Sequence, residues 1–446
     1  MTEQMKPSGI AWIGNIPLAW DTKRIKYVIS DIKDGTHGTF DRVESGEPLL
    51  SAKNVFDDGI RIGNNESEIS YTDYSSIVSN GFPRKNDVLL CCVGTIGRCC
   101  IYEFDKPKAF QRSVSFLRPL SSTSARFLKY ALQSDSTLVQ EQLLLNKSAQ
   151  EGLYMGSVRE MVIALPNSYH IQESIADFLD AQCAKIDGII VDIEKQIETL
   201  QKYKKSLITE TVTKGLDKSV PMRDSGIEWI GDIPMHWEIK RLKFMLANCT
   251  ENMKVGPFGS ALSGSDFTDE GKWVYNQRVV LDNNFEDNDT FISEEKFNEM
   301  KGFTVSSGDI LITTRGTIGK VAIVPQNAPE GILHPCIIKF RVNEDLIMPE
   351  LLKLIFNESD FVKDQFTLMS NATTIEVIYS YSLKDIILPV IPTEEQKKIY
   401  NYLSKKCATI DAIITEKQSS LSAIMQHKKS LIYEYVTGKK RVTEVN

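Results

Sequence analysis

From Ile186 onward the apolar positions keep a strict rhythm: Ile186, Ile190, Ile193, Ile197, Leu200 and Leu207, in steps of four, three, four, three and seven. Ile175, Phe178 and Leu179 precede them, and Gly188 is the only Gly or Pro between His170 and Val212. A mean step of 3.5 residues marks an a/d-type stripe on an α-helix. One helix is therefore predicted from about His170 to Val212. At roughly 1.5 Å per residue it is about 60 Å long, more than a single compact domain needs.

A second stripe, Ile410, Ile414, Leu421, Ile424 and Leu431, predicts another helix from about Glu394 to Thr437. Lys417 and Lys428 fall on this stripe and weaken it. The offset between Ile186 and Ile410 also carries Asp187 onto Asp411 and Cys183 onto Cys407. It carries Lys204, Lys205, Ser206, Leu207 and Ile208 onto Lys428, Lys429, Ser430, Leu431 and Ile432. Two matched helices, each following a globular stretch, are expected to pack on one another antiparallel, because the loops must return.

The globular stretches repeat as well. Ser8-Gly9-Ile10-Ala11-Trp12-Ile13-Gly14-Asn15-Ile16-Pro17 recurs as Ser225-Gly226-Ile227-Glu228-Trp229-Ile230-Gly231-Asp232-Ile233-Pro234. Each copy runs on to a second tryptophan (Trp20, Trp237) and a Lys-Arg pair. A Gly-Thr-Ile-Gly segment recurs at Gly94 and Gly316, and each half closes on Leu-Pro, at Leu165 and Leu388. The order is domain (1–168), helix (169–217), domain (218–393), helix with a basic tail (394–446). The fold class expected is α+β: two α/β domains and a long antiparallel two-helix coiled coil, with an internal pseudo-two-fold repeat. Residues 30–85 and 248–305 align poorly with each other. Their Gly, Asn, Asp and Ser among short apolar runs predict short strands joined by loops.

Length and charge narrow the picture. A chain of 446 residues is too long for one core and suggests three or four units. No stretch resembles a signal peptide or a membrane span, so a cytoplasmic protein with no membrane association is expected. The adjacent pairs Cys91-Cys92 and Cys99-Cys100 suit reduced thiols on strands rather than a zinc cage. The net charge of −7 speaks against simple nucleic-acid binding. Residues 1–168 balance nineteen basic against nineteen acidic groups, 218–393 carry seventeen against twenty-five, and 394–446 carry ten against six. Any DNA surface must be a local patch, or must be supplemented by a partner's charge.

The chemistry-bearing motifs are few. A phosphate loop needs GxxxxGK[ST], whereas here the glycines are three apart and Lys320 precedes Val321. Strand, glycine turn and strand suit residues 309–324 better, and such a turn can present Arg98, or Arg315 and Lys320, to a ligand. Equal spacing in both halves marks Trp12, Trp20, Trp229 and Trp237 as framework core. Lys202–Lys205 and Lys428-Lys429 read as solvated faces that also suit a helix C-terminus, or as contacts to phosphate or a partner. No metal-ligand spacing, triad or nucleophile elbow is visible.

The SGIxWIGxIPxxW opening, the GTIG turn, the closing Leu-Pro and a helix ending Tyr203-Lys204-Lys205-Ser206-Leu207-Ile208…Val212-Thr213-Lys214-Gly215 occur together, twice. This arrangement closely resembles the DNA-specificity (S) subunit of type I restriction-modification systems. The resemblance covers nearly the whole chain. It implies a non-catalytic subunit with two target recognition domains, reading an asymmetric bipartite site in double-stranded DNA. The long helices would then be the spacer and the docking element, through Ile186, Ile190, Ile193, Ile197, Leu200, Ile410, Ile414, Leu421 and Ile424. It further implies two methyltransferase (M) subunits, which methylate adenine N6 with S-adenosylmethionine, and restriction (R) subunits using ATP and Mg. The chain itself would bind no cofactor and no metal. By the same resemblance Thr36 and His37, Lys53 and Asn54, Phe258 and Ser260, and Asn276, Gln277 and Arg278 join Arg98, Arg315 and Lys320 as DNA-side candidates. Arg suits guanine, and Asn or Gln suits adenine, in the major groove. The alternative from another class is a cytosolic scaffold whose paired domains bind protein.

Overall fold

The computed structural model describes residues 4–145, 152–258, 261–370 and 377–442. It divides into two compact units, Met1–Glu194 with Ser419–Asn446, and Lys195–Gln418. Each long helix contributes one part to each unit. Those helices span Tyr169–Lys214 and Thr393–Val436. No helix among the described residues is long and apolar enough to cross a membrane.

In the first unit a four-stranded antiparallel sheet has the spatial order Ile29–Asp34, Val114–Pro119, Val88–Cys91, Cys99–Ile101. Val88–Cys91 is buried at every position, because its alternate side chains enter two cores. Val88 and Leu90 pack in one core with Phe127, Leu128 and Leu132 of the helix Ala125–Gln133. Leu89 and Cys91 pack in the other with Phe82, Phe110 and Phe116. Trp20–Arg24 pairs separately with Val162–Pro166, so the Leu-Pro close of the domain lies against its opening.

The second unit repeats this plan. Its sheet runs Met253–Val255, Ile337–Phe340, Ile310–Thr313, Val321–Ile323, and Glu238–Arg241 pairs with Ile387–Val390. Topology is thus shared even across 30–85 and 248–305, where the sequences align poorly. Strands are specified by alternation and burial, which tolerate wide changes of residue.

The seam residues do what the spacing predicts. Within the first unit Phe178 meets Tyr435 at 4.4 Å between rings, and Asp187 meets Lys428. Within the second, Gln196 meets Lys417 and Lys204 meets Asp411. Helix numbers rise on one side as they fall on the other, so each pairing is antiparallel. Ile186, Ile410 and Ile414 are buried, and Ile190, Ile193, Ile197, Leu200, Leu421 and Ile424 are half-buried. The seven-residue step from Leu200 to Leu207 conceals a seam position, Lys204. It is no solvated lysine: its side chain is 11 % exposed and bridges Glu358 at 2.6 Å and Asp411 at 2.7 Å.

Candidate nucleic-acid interface

Equivalent strands position the loops in each unit. Glu47–Leu50 pairs in parallel with Ala109–Phe110, and Lys272–Tyr275 pairs in parallel with Gly331–Leu333. Each strand then ends in a capped turn. Ser51 and Asn54 form a capping box around Ala52–Asn54, while Asn276 caps the helix Gln277–Asp282 through Val279 N at 3.2 Å. Asn54 is buried, and its amide donates to Arg61 O at 3.0 Å and Glu66 Oε1 at 2.7 Å. The Asn276 amide donates to Thr290 Oγ1 at 2.9 Å and Asp289 at 3.2 Å. Both asparagines therefore hold their own turns.

The GTIG segments are strand–turn–strand in both units. Gly94 and Gly97 have φ of 81° and 87°, and Gly316 and Gly319 have 64° and 77°, values that glycine adopts without strain. These turns lie beside the capped ones. Thr95 Oγ1 donates to Ala52 O at 3.5 Å, and Gln277 Nε2 donates to Thr317 O at 3.4 Å. In the first unit this brings Lys53, Asn54 and Arg98 together. Arg98 lies over the Phe56 ring at 5.1 Å, and so does Arg61 at 4.1 Å. Arg61 escaped the motif reading because it follows the two-residue strand Gly59–Ile60, which carries no period. Lys53 is exposed and holds the Glu66 carboxylate below its ordinary range by a direct hydrogen bond.

In the second unit Arg315 is exposed, whereas Lys320 donates to Asn357 O at 2.6 Å. Arg278 bridges Asp287 at 3.2 Å and Asp289 at 3.3 Å, two of the carboxylates behind the acidic balance of this half. Phe258 is 84 % exposed, and Ser260 lies outside the described residues. In the first unit Thr36 accepts from Gly38 N at 3.2 Å, and exposed His37 lies 3.9 Å from Asp34. Both line a separate pocket near the end of Ile29–Asp34, with a volume of about 270 Å³.

The tryptophans are not all core. Trp20 and Trp237 are buried and Trp12 is half-buried, but Trp229 is 40 % exposed. Trp229 sets its edge against Phe361 at 5.5 Å and lines a groove of about 1130 Å³ with Lys202, Lys205 and Asp360. Equal spacing predicted equal burial, but burial depends on what the partner element brings. The thiols of Cys91 and Cys92 are pushed up to about 11 and about 12, chiefly by burial, which keeps them protonated and unreactive. Among the described residues no group of three His, Cys, Asp or Glu could hold a metal ion.

Comparison with known proteins places this geometry. The type I restriction modification DNA specificity domain matches residues 46–199 and again 254–423. A putative type I restriction enzyme MjaX specificity subunit of Methanocaldococcus jannaschii is 24% identical over 446 residues, 96% of either chain. The MjaVIII specificity subunit of the same organism is 27% identical over 274 residues, 59% of this chain and 61% of that one. A solved structure concerning complex assembly and conformational transition of the type I R-M system superposes with a TM-score of 0.67 at 13% identity. It covers 95% of this chain and 99% of its own, which establishes the shared fold. Two matched domains, each with a paired-loop face beside a glycine turn and each built onto a shared helix pair, belong to a type I restriction-modification specificity subunit, a DNA-recognising rather than catalytic member of the DNA specificity domain family.

Proposed function

We propose that this chain reads an asymmetric, bipartite site in double-stranded DNA, one half-site for each unit, within a cytoplasmic complex. The observation that carries this reading is the contrast between framework and loops. Sheet order, turn positions and helix pairing repeat, while the residues on the loops do not: Lys53 and Arg98 in one unit stand against Gln277, Arg278 and Lys320 in the other. Identical domains related by a two-fold read identical inverted half-sites; dissimilar loops read dissimilar ones. Two adenine-N6 methyltransferase subunits and the restriction subunits dock through the helix pair and the Trp229 groove. S-adenosylmethionine, ATP and Mg enter with those partners.

The test is an exchange of residues 30–160 for the matching segment of another specificity subunit. The methylated motif, read by sequencing of modified DNA, should change in one half only. A motif that changes in both halves, or in neither, removes the assignment of one half-site to each unit.

A further inference from the structure

The pocket at the end of Ile29–Asp34 has a counterpart position in the second unit, and the comparison isolates one side chain. Gly35 N donates to Val114 O at 2.9 Å, and Gly256 N donates to Ile337 O at 2.9 Å. A Cβ at Gly35 would meet Gln111 O at 2.2 Å, and one at Gly256 would meet His334 O at 2.1 Å. The two glycines are thus equivalent, each excluding any side chain by the same close backbone approach. One residue earlier the copies part. Asp34 lies opposite Ser115 in its ladder, whereas Val255 lies opposite Ile338. The fold is therefore served by an apolar pair at this point, and the carboxylate is an addition.

It is an unfavourable addition for the isolated chain. The Asp34 side chain is 17 % exposed, and burial raises its pKa against the opposing effects of Ser115 and His37. Ser115 Oγ donates to Oδ1, while Oδ2 has His37 Nε2 at 3.9 Å, beyond hydrogen-bonding distance. Around it the pocket is walled by Phe82, Phe110 and Phe116, with Asn80, His37 and Lys108 at its polar side, the lysine bridged to Glu47 at 3.3 Å. The Phe82 and Phe116 rings stack at 6.3 Å. The volume of the pocket and its aromatic wall suit a flat ring, and an ionised carboxylate within it accepts hydrogen bonds only. The complementary ligand is planar and carries an N–H donor. Cytosine and adenine present an exocyclic amino group of that kind, and carboxylates accept from it.

We infer that the Asp34 pocket receives the amino-bearing edge of one cytosine or adenine in the half-site read by the first unit, making Asp34 a specificity-determining residue. This rests on the DNA-reading function proposed above. Val255, which stands at the equivalent position, carries no acceptor, so the contact belongs to one half-site only.

The experiment uses the full chain assembled with its methyltransferase subunits and a duplex library randomised through both half-sites. Asp34→Ala should relax discrimination at a single base pair of one half-site by about tenfold or more, leaving the other half-site unchanged. Asp34→Asn, which keeps one acceptor oxygen and adds a donor, should relax that position less than Asp34→Ala does. The Asp34→Val, Ser115→Ile double variant copies a pairing that already folds in the second unit, and should relax the same position. A wild-type motif left intact by all three variants overturns the Asp34 inference alone. A wild-type complex that yields no motif overturns the DNA-reading function with it.

Discussion

Lys428 Nζ lies 2.6 Å from Asp187 Oδ1, on a stripe that is apolar apart from Lys428 and Lys417. Asp187 and Lys204 of the first helix correspond to Asp411 and Lys428 of the second, so the Lys204–Asp411 bridge at 2.7 Å is the same contact with the helices exchanged. A charge on a seam weakens burial but penalises other registers, which leave it without a partner. Asp187→Lys alone, which sets two ammonium groups together, should lower the unfolding midpoint. Adding Lys428→Asp should restore it. Both side chains are partly exposed, so the coupling should be about 0.5–1 kcal/mol in a double-mutant cycle. No recovery in the double variant would mean that the pair does not set the register.

Gln172 is buried at the start of the first long helix and holds three backbone groups. Its Oε1 accepts from Ser124 N at 2.8 Å, and its Nε2 donates to Pro166 O at 3.0 Å and Ser122 O at 3.2 Å. Gln396 does the same for Met348 N, Ile391 O and Leu346 O. Gln172→Leu leaves these groups without partners and should cost about 2–4 kcal/mol in denaturant unfolding. A loss well below 1 kcal/mol would show that the helix start is held by packing alone.

Glu141 gives a pH dependence. It neighbours Gln140, whose bonds to Val162 match those of Gln365 to Ile387, so its counterpart in the second unit is Phe366. Burial raises Glu141 from 4.5 to about 8. Between those values the folded chain keeps a proton that the unfolded chain releases. Stability should therefore fall as pH rises through that window and level off above it, by up to about 1.4 kcal/mol per pH unit. Glu141→Gln or Glu141→Phe should flatten the slope. An unchanged slope in both variants would assign it to another group.

Charge sets the expectation for DNA binding. With a net charge of −7 and Arg278 bridged to acidic neighbours, the lone chain should bind duplex DNA weakly at physiological salt. Specific affinity should appear on adding methyltransferase subunits, which bring further phosphate contacts. Nanomolar, sequence-specific binding by the chain alone, measured at the same salt, would contradict this.

The candidate loops were legible only where a local pattern marks them. Glycine spacing located the GTIG turns, and an Asn after a strand located the capped turns, but neither reveals whether an amide is free. Asn54 and Asn276 are engaged within their own loops, and Arg61 joined the Arg98 face unannounced.

The chain's own pattern determined the two helices, their antiparallel pairing and the doubled domain plan. A 3.5-residue period and a long internal repeat are properties of neighbours in sequence, readable without knowing what packs on what. The tertiary structure alone decided which polar groups were buried and with whom. Lys204 is a seam residue because Glu358 and Asp411 arrive beside it, and Trp229 stays exposed while Trp237, in the same motif, does not. Asp34 stands apart from Val255 only once two equivalent glycines align the sheets. Burial and ion pairing are sums over residues distant along the chain, and the same residue type takes opposite roles according to which of them the fold brings near.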